Sequence, residues 1–141
     1  MLIHSKLLFI AGTIPFIFLG AIHVVYTLID IKTPRKLVPF DDNVRVLILK
    51  STLRLTRQTT MWRAWLGFNI SHGIGLLFFG LIYLVIAASD FGVLVHMTPL
   101  LYLAPLVALC YLILSIKYWF HIPAIGSAMG FACFVVAVIL A

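Results

Sequence analysis

Residues 61–80, MWRAWLGFNISHGIGLLFFG, begin the stretch of sequence that decides the fold. This apolar run continues to about Ala88, and its one charged side chain, that of Arg63, lies at its start. A helix rises about 1.5 Å per residue, so about 20 consecutive apolar residues cross the hydrocarbon core of a bilayer. The run therefore predicts a transmembrane helix over about 61–88.

Three further apolar runs predict three more transmembrane helices, over about 7–29, 93–116 and 122–141. The chain is 64% hydrophobic and 10% charged, whereas roughly a quarter of the residues of a typical soluble domain are charged. Strands of a membrane barrel would be shorter and would alternate in polarity. The sequence thus predicts an all-α membrane protein, a four-transmembrane-helix bundle that forms a single integral membrane domain over 1–141. The first run lacks an A-x-A-like cleavage site, so we expect it to be retained as a helix rather than removed as a signal peptide.

The distribution of Lys and Arg residues predicts how the chain is oriented. Nine of the ten lie on one side of the predicted helices, Lys6 being the exception, and the loop around 89–92 contains none. The positive-inside rule makes the basic side cytoplasmic. We therefore expect a multi-pass inner-membrane protein with both termini outside and the loop 30–60 in the cytoplasm. The basic residues then reflect topology, and no nucleic-acid partner is expected.

The cytoplasmic loop 30–60 contains a second pattern, an amphipathic connector helix. Asp41 or Asp42 offers an N-cap, and helical periodicity runs from Asn43 to Thr60. The periodicity separates basic from apolar side chains, with Lys50, Arg54 and Arg57 on one face and Val44, Ile48 and Leu55 on the other. Such a helix suits the headgroup layer. It is interpreted either as a topology-setting linker or as a docking surface for anionic lipids or a protein partner.

The second transmembrane helix has two contrasting faces. At about 100° per residue, one face presents polar and aromatic side chains, those of Trp62, Trp65, Asn69 and His72. The opposite face carries Gly67, Ser71 and Gly75, a ridge of small residues that predicts close helix packing. Polar side chains at membrane depth normally point into a bundle or cavity. A second small-residue pair, Gly126 and Gly130, predicts packing within the chain or, alternatively, a dimer interface.

The first helix has a matching polar face with His23, Thr27 and Asp30. Counted along the helices, His23 and His72 both lie roughly 10–15 Å from the same membrane surface. The sequence therefore predicts a cytoplasm-facing pocket whose ligand-binding residues are His23, Thr27, Trp62, Arg63, Trp65, Asn69, His72 and His121.

Three interpretations of this cluster remain open. The polar side chains hydrogen-bond between helices and have a structural role, or they bind an amphipathic small molecule such as a quinone or lipid, or His23 and His72 ligate a haem. No H-E-x-x-H motif and no intramembrane acidic pair is found, so no catalytic residue is predicted. The leading prediction is a binding protein with this pocket. The alternatives are an accessory or scaffold subunit of a larger membrane complex, or a haem-binding redox protein. Self-association into a homo-oligomer is compatible with each.

The segment from Thr56 to Gly80, TRQTTMWRAWLGFNISHGIGLLFFG, resembles a signature of small bacterial four-helix membrane proteins without assigned function. The first-helix sequence GAIH, Gly20–His23, is similar to the same pattern. In architecture this family resembles the broad DoxX-like group, some members of which are linked to quinone-associated respiration or redox homeostasis. The resemblance implies a four-helix fold with the W-R-A-W-x-G-F-N-x-S-H motif as its characteristic residues. It implies no particular activity.

Overall fold

The computed structural model describes residues 2–141, which fold as α-helices joined by short connections. The helices are, in chain order, α1 (Leu2–Lys32), α2 (Asp42–Lys50), α3 (Met61–Ser89), α4 (Phe91–His96), α5 (Thr98–Tyr118) and α6 (His121–Leu140). Four of them, α1, α3, α5 and α6, are long and apolar enough to cross a membrane. The predicted all-α bundle with four transmembrane helices is confirmed.

The outer surfaces of the four long helices are apolar. The most apolar 18-residue window of each has a mean hydropathy of 2.1 to 2.2, yet only 22–28% of each window is buried within the protein. Large side chains such as Phe18, Phe78 and Ile139 are 64%, 65% and 74% exposed. Water could not solvate such a surface without a large free-energy cost. The chain is therefore a multi-pass membrane protein.

The described residues form two compact units. The first unit takes the chain up to Leu19 and again from Leu76 to Ala141, and the second unit is Gly20–Gly75. Helices α1 and α3 each contribute one part to either unit. The second unit holds α2 and the connections on both sides of it.

Helix α1 is longer than the predicted span 7–29, because its first turns have polar partners in the first unit. The Ser5 hydroxyl donates to the Ala137 carbonyl at 2.7 Å, and the Lys6 ammonium donates to the Ala88 carbonyl at 3.0 Å. Ala88 and Ala137 lie in the last turns of α3 and α6, where carbonyl groups lack partners within the helix. These contacts supply a reason for polar residues to continue the helix toward its N-terminus.

The third predicted span, 93–116, is interrupted in the structure. Helix α4 ends at His96, and α5 begins at Thr98 with Pro99 in its first turn. Proline has no N–H group and its ring clashes with the carbonyl four residues earlier, so one continuous helix through this point is disfavoured. Asp90 caps α4 by accepting a hydrogen bond from the Gly92 N–H.

The connector helix α2 is shorter than predicted. Asp41, one of the two residues predicted as a possible N-cap, caps the helix. Its carboxylate accepts a hydrogen bond from the Asn43 N–H. The helix ends at Lys50, so Arg54, Arg57 and Leu55 lie outside it and the predicted two-faced helix over 43–60 is wrong beyond that point. The following hydroxyl-rich segment pairs with itself instead, through a bridge of Thr52 with Thr60 and a bond from the Met61 N–H to the Ser51 carbonyl. Threonine has low helix propensity and readily bonds its own backbone, which favours this alternative.

The core of the first unit is aromatic. Phe9, Phe16 and Phe134 are fully buried, and the Phe134 ring contacts those of Phe9 and Phe16 at centroid separations of 4.9 Å and 6.1 Å. Tyr83 is buried beside them and donates its hydroxyl to the Leu100 carbonyl at 3.0 Å. The interlocking rings require the helix backbones to approach closely at particular positions.

Glycines provide that approach. A Cβ on Gly130 would collide with the Phe16 ring and lie 2.9 Å from the Gly12 carbonyl, and a Cβ on Gly126 would lie 2.8 Å from Leu19 Cδ1. The Gly126–Gly130 pair therefore packs within the chain against α1, which is the first of its two predicted roles. On α3 the packing position in this unit is Gly80, where a Cβ would lie 3.0 Å from the Ile17 nitrogen.

The predicted packing ridge of Gly67, Ser71 and Gly75 is wrong. All three residues are exposed, and a Cβ on Gly67 would meet nothing within 4 Å. The face of α3 that packs is the one carrying Asn69, because a carboxamide in hydrocarbon must find partners inside the protein. The small ridge consequently points outward.

Gly130→Ala is expected to lower the free energy of unfolding by about 1–3 kcal/mol, because the added methyl group meets backbone as well as a ring. Gly67→Ala is the matched control, and alanine there should leave stability unchanged or slightly higher. Thermal denaturation in detergent, followed by circular dichroism, measures both. Equal midpoints for the two variants would contradict the packing described.

Candidate functional site

Asn69 is the centre of the polar cluster in the second unit. It is fully buried in α3, its Oδ1 lies 2.9 Å from Nε2 of His23 in α1, and its Nδ2 donates to the Trp65 carbonyl at 2.8 Å. A carboxamide oxygen only accepts hydrogen bonds, so the His23 ring donates from Nε2. Across residues 2–141 no buried side-chain nitrogen or oxygen lacks a partner. The cluster thus joins α1 to α3 with its polar atoms satisfied.

Gly73 makes this hydrogen bond possible. It lies one turn after Asn69, and a Cβ at this position would be 2.7 Å from Val24 Cγ2 and 3.3 Å from the Gly20 carbonyl. The two backbones therefore pass close together beside the bond between His23 and Asn69. The sequence contained a signal for this, since Asn69 and Gly73 are four residues apart on one helix face.

The two histidines predicted to lie together are in contact. The centroids of the His23 and His72 rings are 5.2 Å apart and the ring planes are inclined at 73°, an edge-to-face arrangement. The Phe68 ring stacks on that of His72, with centroids 6.0 Å apart. Three rings from two helices therefore form a continuous aromatic contact at the side of the Asn69 hydrogen bond.

The geometry of this pair does not fit a haem. A porphyrin would have to stand between its two axial ligands, but the two rings touch edge to face, and Nε2 of His23 already binds Asn69. Coordination would require α1 and α3 to separate and this hydrogen bond to break. Within the described residues, no group of three or more His, Cys, Asp or Glu side chains is placed to hold a metal ion.

Thr27 and Asp30 continue the polar face of α1. The hydroxyl of buried Thr27 donates to the His23 carbonyl one turn earlier, at 2.8 Å. Asp30, which is also fully buried, accepts three backbone hydrogen bonds from the segment that follows α1. Its Oδ1 binds the N–H groups of Arg35 and Lys36 at 2.8 Å and 2.9 Å, and its Oδ2 binds that of Leu37 at 2.6 Å. The chain leaving α1 is therefore wrapped around one carboxylate.

The role of Asp30 in holding residues 35–37 was not predicted, although its position contained a signal. An acidic side chain in the last turns of a helix is unfavourable, since it faces the negative end of the helix dipole. A buried carboxylate at that place needs strong compensating donors, and the three N–H groups of the next segment supply them.

An apolar pocket lies where this segment meets α2 and α3. It has a volume of about 320 Å³ and is lined by Leu37, Val38, Pro39, Ile48, Met61 and Trp65. The Trp65 indole joins α3 to the segment after α1, because its Nε1–H donates a hydrogen bond to the Leu37 carbonyl at 2.8 Å. The volume lies at the lower end of the range, about 300–1,000 Å³, of known small-molecule sites.

The eight predicted ligand-binding residues do not share one environment. Four of them belong to the polar cluster: His23, Thr27, Asn69 and His72. Trp65 is the one predicted residue that lines the apolar pocket. Trp62 is buried in the first turn of α3, while Arg63 beside it is exposed. His121 begins α6 and belongs to the first unit. The pocket walls at Leu37–Pro39, Ile48 and Met61 were not predicted, because they meet only through folding of the connector.

Comparison of the chain with protein-family models, with curated proteins and with solved structures gives no match.

Asp30→Asn is expected to destabilise the segment after α1 by about 1–3 kcal/mol. The new Nδ2 group would face the Leu37 N–H, so a donor would replace an acceptor. Hydrogen exchange should accelerate at the backbone amides of Arg35, Lys36 and Leu37. Asp41→Asn is the control, because asparagine is an equally good N-cap; similar exchange in both variants would contradict the role of Asp30.

Asn69→Leu keeps the side-chain size but removes both hydrogen bonds of the carboxamide. We expect a loss of about 1 kcal/mol of stability, in the range found for hydrogen bonds between membrane helices. Ser71→Ala on the exposed face of α3 should change stability little. The comparison of denaturation midpoints in detergent checks this, and an Asn69→Leu variant as stable as the wild type would refute a structural contribution of the cluster.

Proposed function

We propose that this protein binds an amphipathic small molecule, a quinone or a lipid, at the interface between membrane and water. The single observation that supports this is the apolar pocket formed by Leu37–Pro39, Ile48, Met61 and Trp65. Its lining comes from the first turns of a membrane-spanning helix and from the connector that follows another. A ligand placed there has its apolar part in the pocket and its polar part toward water.

The pocket and the polar cluster are linked through one helical turn. Trp65 lines the pocket, and its carbonyl accepts the hydrogen bond from Asn69. The indole of Trp65 also suits this depth, because tryptophan favours the interfacial layer with its N–H bonded and its ring in an apolar environment. In this proposal the cluster of His23, Asn69 and His72 supports the wall of the pocket and adjoins the bound molecule.

We further propose that the protein lies in a bacterial inner membrane with the pocket on the cytoplasmic side and both termini outside. The basic connector 30–60 supports this orientation through the positive-inside rule.

Purification in mild detergent, followed by mass spectrometry of extracted small molecules, tests the binding function. We expect the wild type to retain one quinone or lipid species in stoichiometric amount, and Val38→Phe to reduce this retention about tenfold by filling the pocket. Val46→Phe, on an exposed position of α2 outside the pocket, is the matched control and should retain the molecule.

Equal retention by the two variants would place the ligand elsewhere, and a wild-type protein that retains nothing would contradict the proposal. An absorption spectrum of the same sample addresses haem. A Soret band that disappears in both His23→Ala and His72→Ala would favour the redox alternative over the pocket. A stoichiometric protein partner in the same preparation would favour the accessory-subunit alternative.

A further inference from the structure

The three acidic side chains of the connector are engaged within the connector itself. Asp30 accepts the three backbone N–H groups of residues 35–37, and Asp41 caps α2 through the Asn43 N–H. Asp42 pairs with Arg45 at 3.3 Å. Two of the three carboxylates are thus used to hold backbone, and one faces a basic side chain.

The basic side chains of the same region outnumber the acidic ones. Between residues 30 and 60 there are seven Lys or Arg residues, Lys32, Arg35, Lys36, Arg45, Lys50, Arg54 and Arg57. Across residues 2–141 the pair of Arg45 with Asp42 is the one ion pair found, and it is exposed to solvent. The Lys36 ammonium lies 5.4 Å from the centroid of the Tyr26 ring, a contact that does not neutralise its charge.

Some of these basic residues lie close in sequence to residues that line the apolar pocket. Arg35 and Lys36 directly precede Leu37, and the bonds of their N–H groups to Asp30 fix the backbone from which their exposed side chains extend. Arg45 lies three residues before Ile48 on α2 and therefore on the same side of that helix. Basic residues thus lie close in sequence to lining residues of the pocket both on the segment after α1 and on α2.

We propose that the ligand of this pocket is an anionic phospholipid, with part of one acyl chain between Leu37–Pro39, Ile48, Met61 and Trp65 and its phosphate held by Arg35, Lys36 and Arg45. This inference rests on the proposed binding function and names the class of ligand. A quinone is uncharged and would make no use of the basic border. An acidic protein segment would need a longer groove than a volume of about 320 Å³ provides. The chemistry of an anionic lipid matches both the apolar lining and the charge.

Fluorescence quenching of Trp65 by lipids with brominated acyl chains tests this assignment. The chain has three tryptophans, so a background with Trp62→Phe and Trp119→Phe leaves Trp65 as the reporter. The protein is reconstituted in vesicles that contain increasing fractions of brominated phosphatidylglycerol or brominated phosphatidylcholine. We expect half-maximal quenching at about a tenfold lower fraction of the anionic lipid, because each basic side chain near the surface favours it.

Two comparisons assign the selectivity to the residues named. Lys36→Gln combined with Arg45→Gln should bring the two lipids to equal quenching, whereas Lys117→Gln at the end of α5 should retain the tenfold preference. Val38→Phe should reduce quenching by the anionic lipid, since the chain no longer enters. In the reporter background without further substitutions, raising the NaCl concentration should weaken the preference through screening, which provides a test that does not depend on the folding of any charge variant.

Equal quenching by both lipids in the unsubstituted pocket would overturn the anionic-lipid assignment while leaving the proposed binding function intact. The same holds if a neutral quinone displaces the brominated chain equally well with and without the two charge substitutions. Quenching by the anionic lipid that Val38→Phe does not alter would also overturn the assignment, because the chain would then lie outside the pocket. If the purified protein in addition retained no amphipathic molecule, the proposed function would fail as well.

Discussion

Hydrocarbon offers no hydrogen bonds, so every polar group that enters the membrane must find a partner within the protein. Helix formation meets this requirement for the backbone of the four long helices. Polar side chains meet it by bonding to their own helix, as Thr27 does, or to a neighbouring helix. Asn69 binds His23 and the Trp65 carbonyl, Ser5 binds the Ala137 carbonyl, and Tyr83 binds the Leu100 carbonyl. Each of these bonds also sets which face of its helix points inward. The polar side chains, although few, therefore specify how largely apolar helices pack.

The same constraint explains the structure next to the pocket. Asp30 is a buried carboxylate near the end of α1, and it is tolerated because three backbone N–H groups of the following segment surround it. That segment is then in place to present Leu37 to Trp65, and the two residues line one pocket. The hydrogen bonds that a buried carboxylate needs at the end of α1 thus place the residues that form an apolar site beside it. Of the basic side chains around the site, that of Arg45 pairs with Asp42, whereas Asp30 and Asp41 bind backbone N–H groups.

Packing of the helices depends on where glycine coincides with the inward face. Gly73 and Gly80 allow α3 to approach α1 within the second and the first unit respectively, while Gly67 on another face meets nothing. The pattern of small residues at four-residue intervals was therefore misleading on α3 and informative on α6, where Gly126 and Gly130 contact α1. Such a stripe indicates that close approach is possible. On α3 the inward face is the one that carries Asn69, because its carboxamide would lack hydrogen-bond partners in lipid.

The sequence by itself determined the four membrane helices, their approximate bounds and the proximity of His23 to His72, because hydropathy and helical period are local properties of the chain. It did not determine where α2 ends, because the sequence of segment 51–60 is also compatible with a helix. The pairing of Thr52 with Thr60 is seen only in the structure. Only the tertiary structure decided that Asp30 organises residues 35–37 and that Leu37–Pro39, Ile48, Met61 and Trp65 enclose a pocket. These residues are distant in sequence and have no shared period, so their meeting depends on how the connector folds back, and no local pattern contains that information.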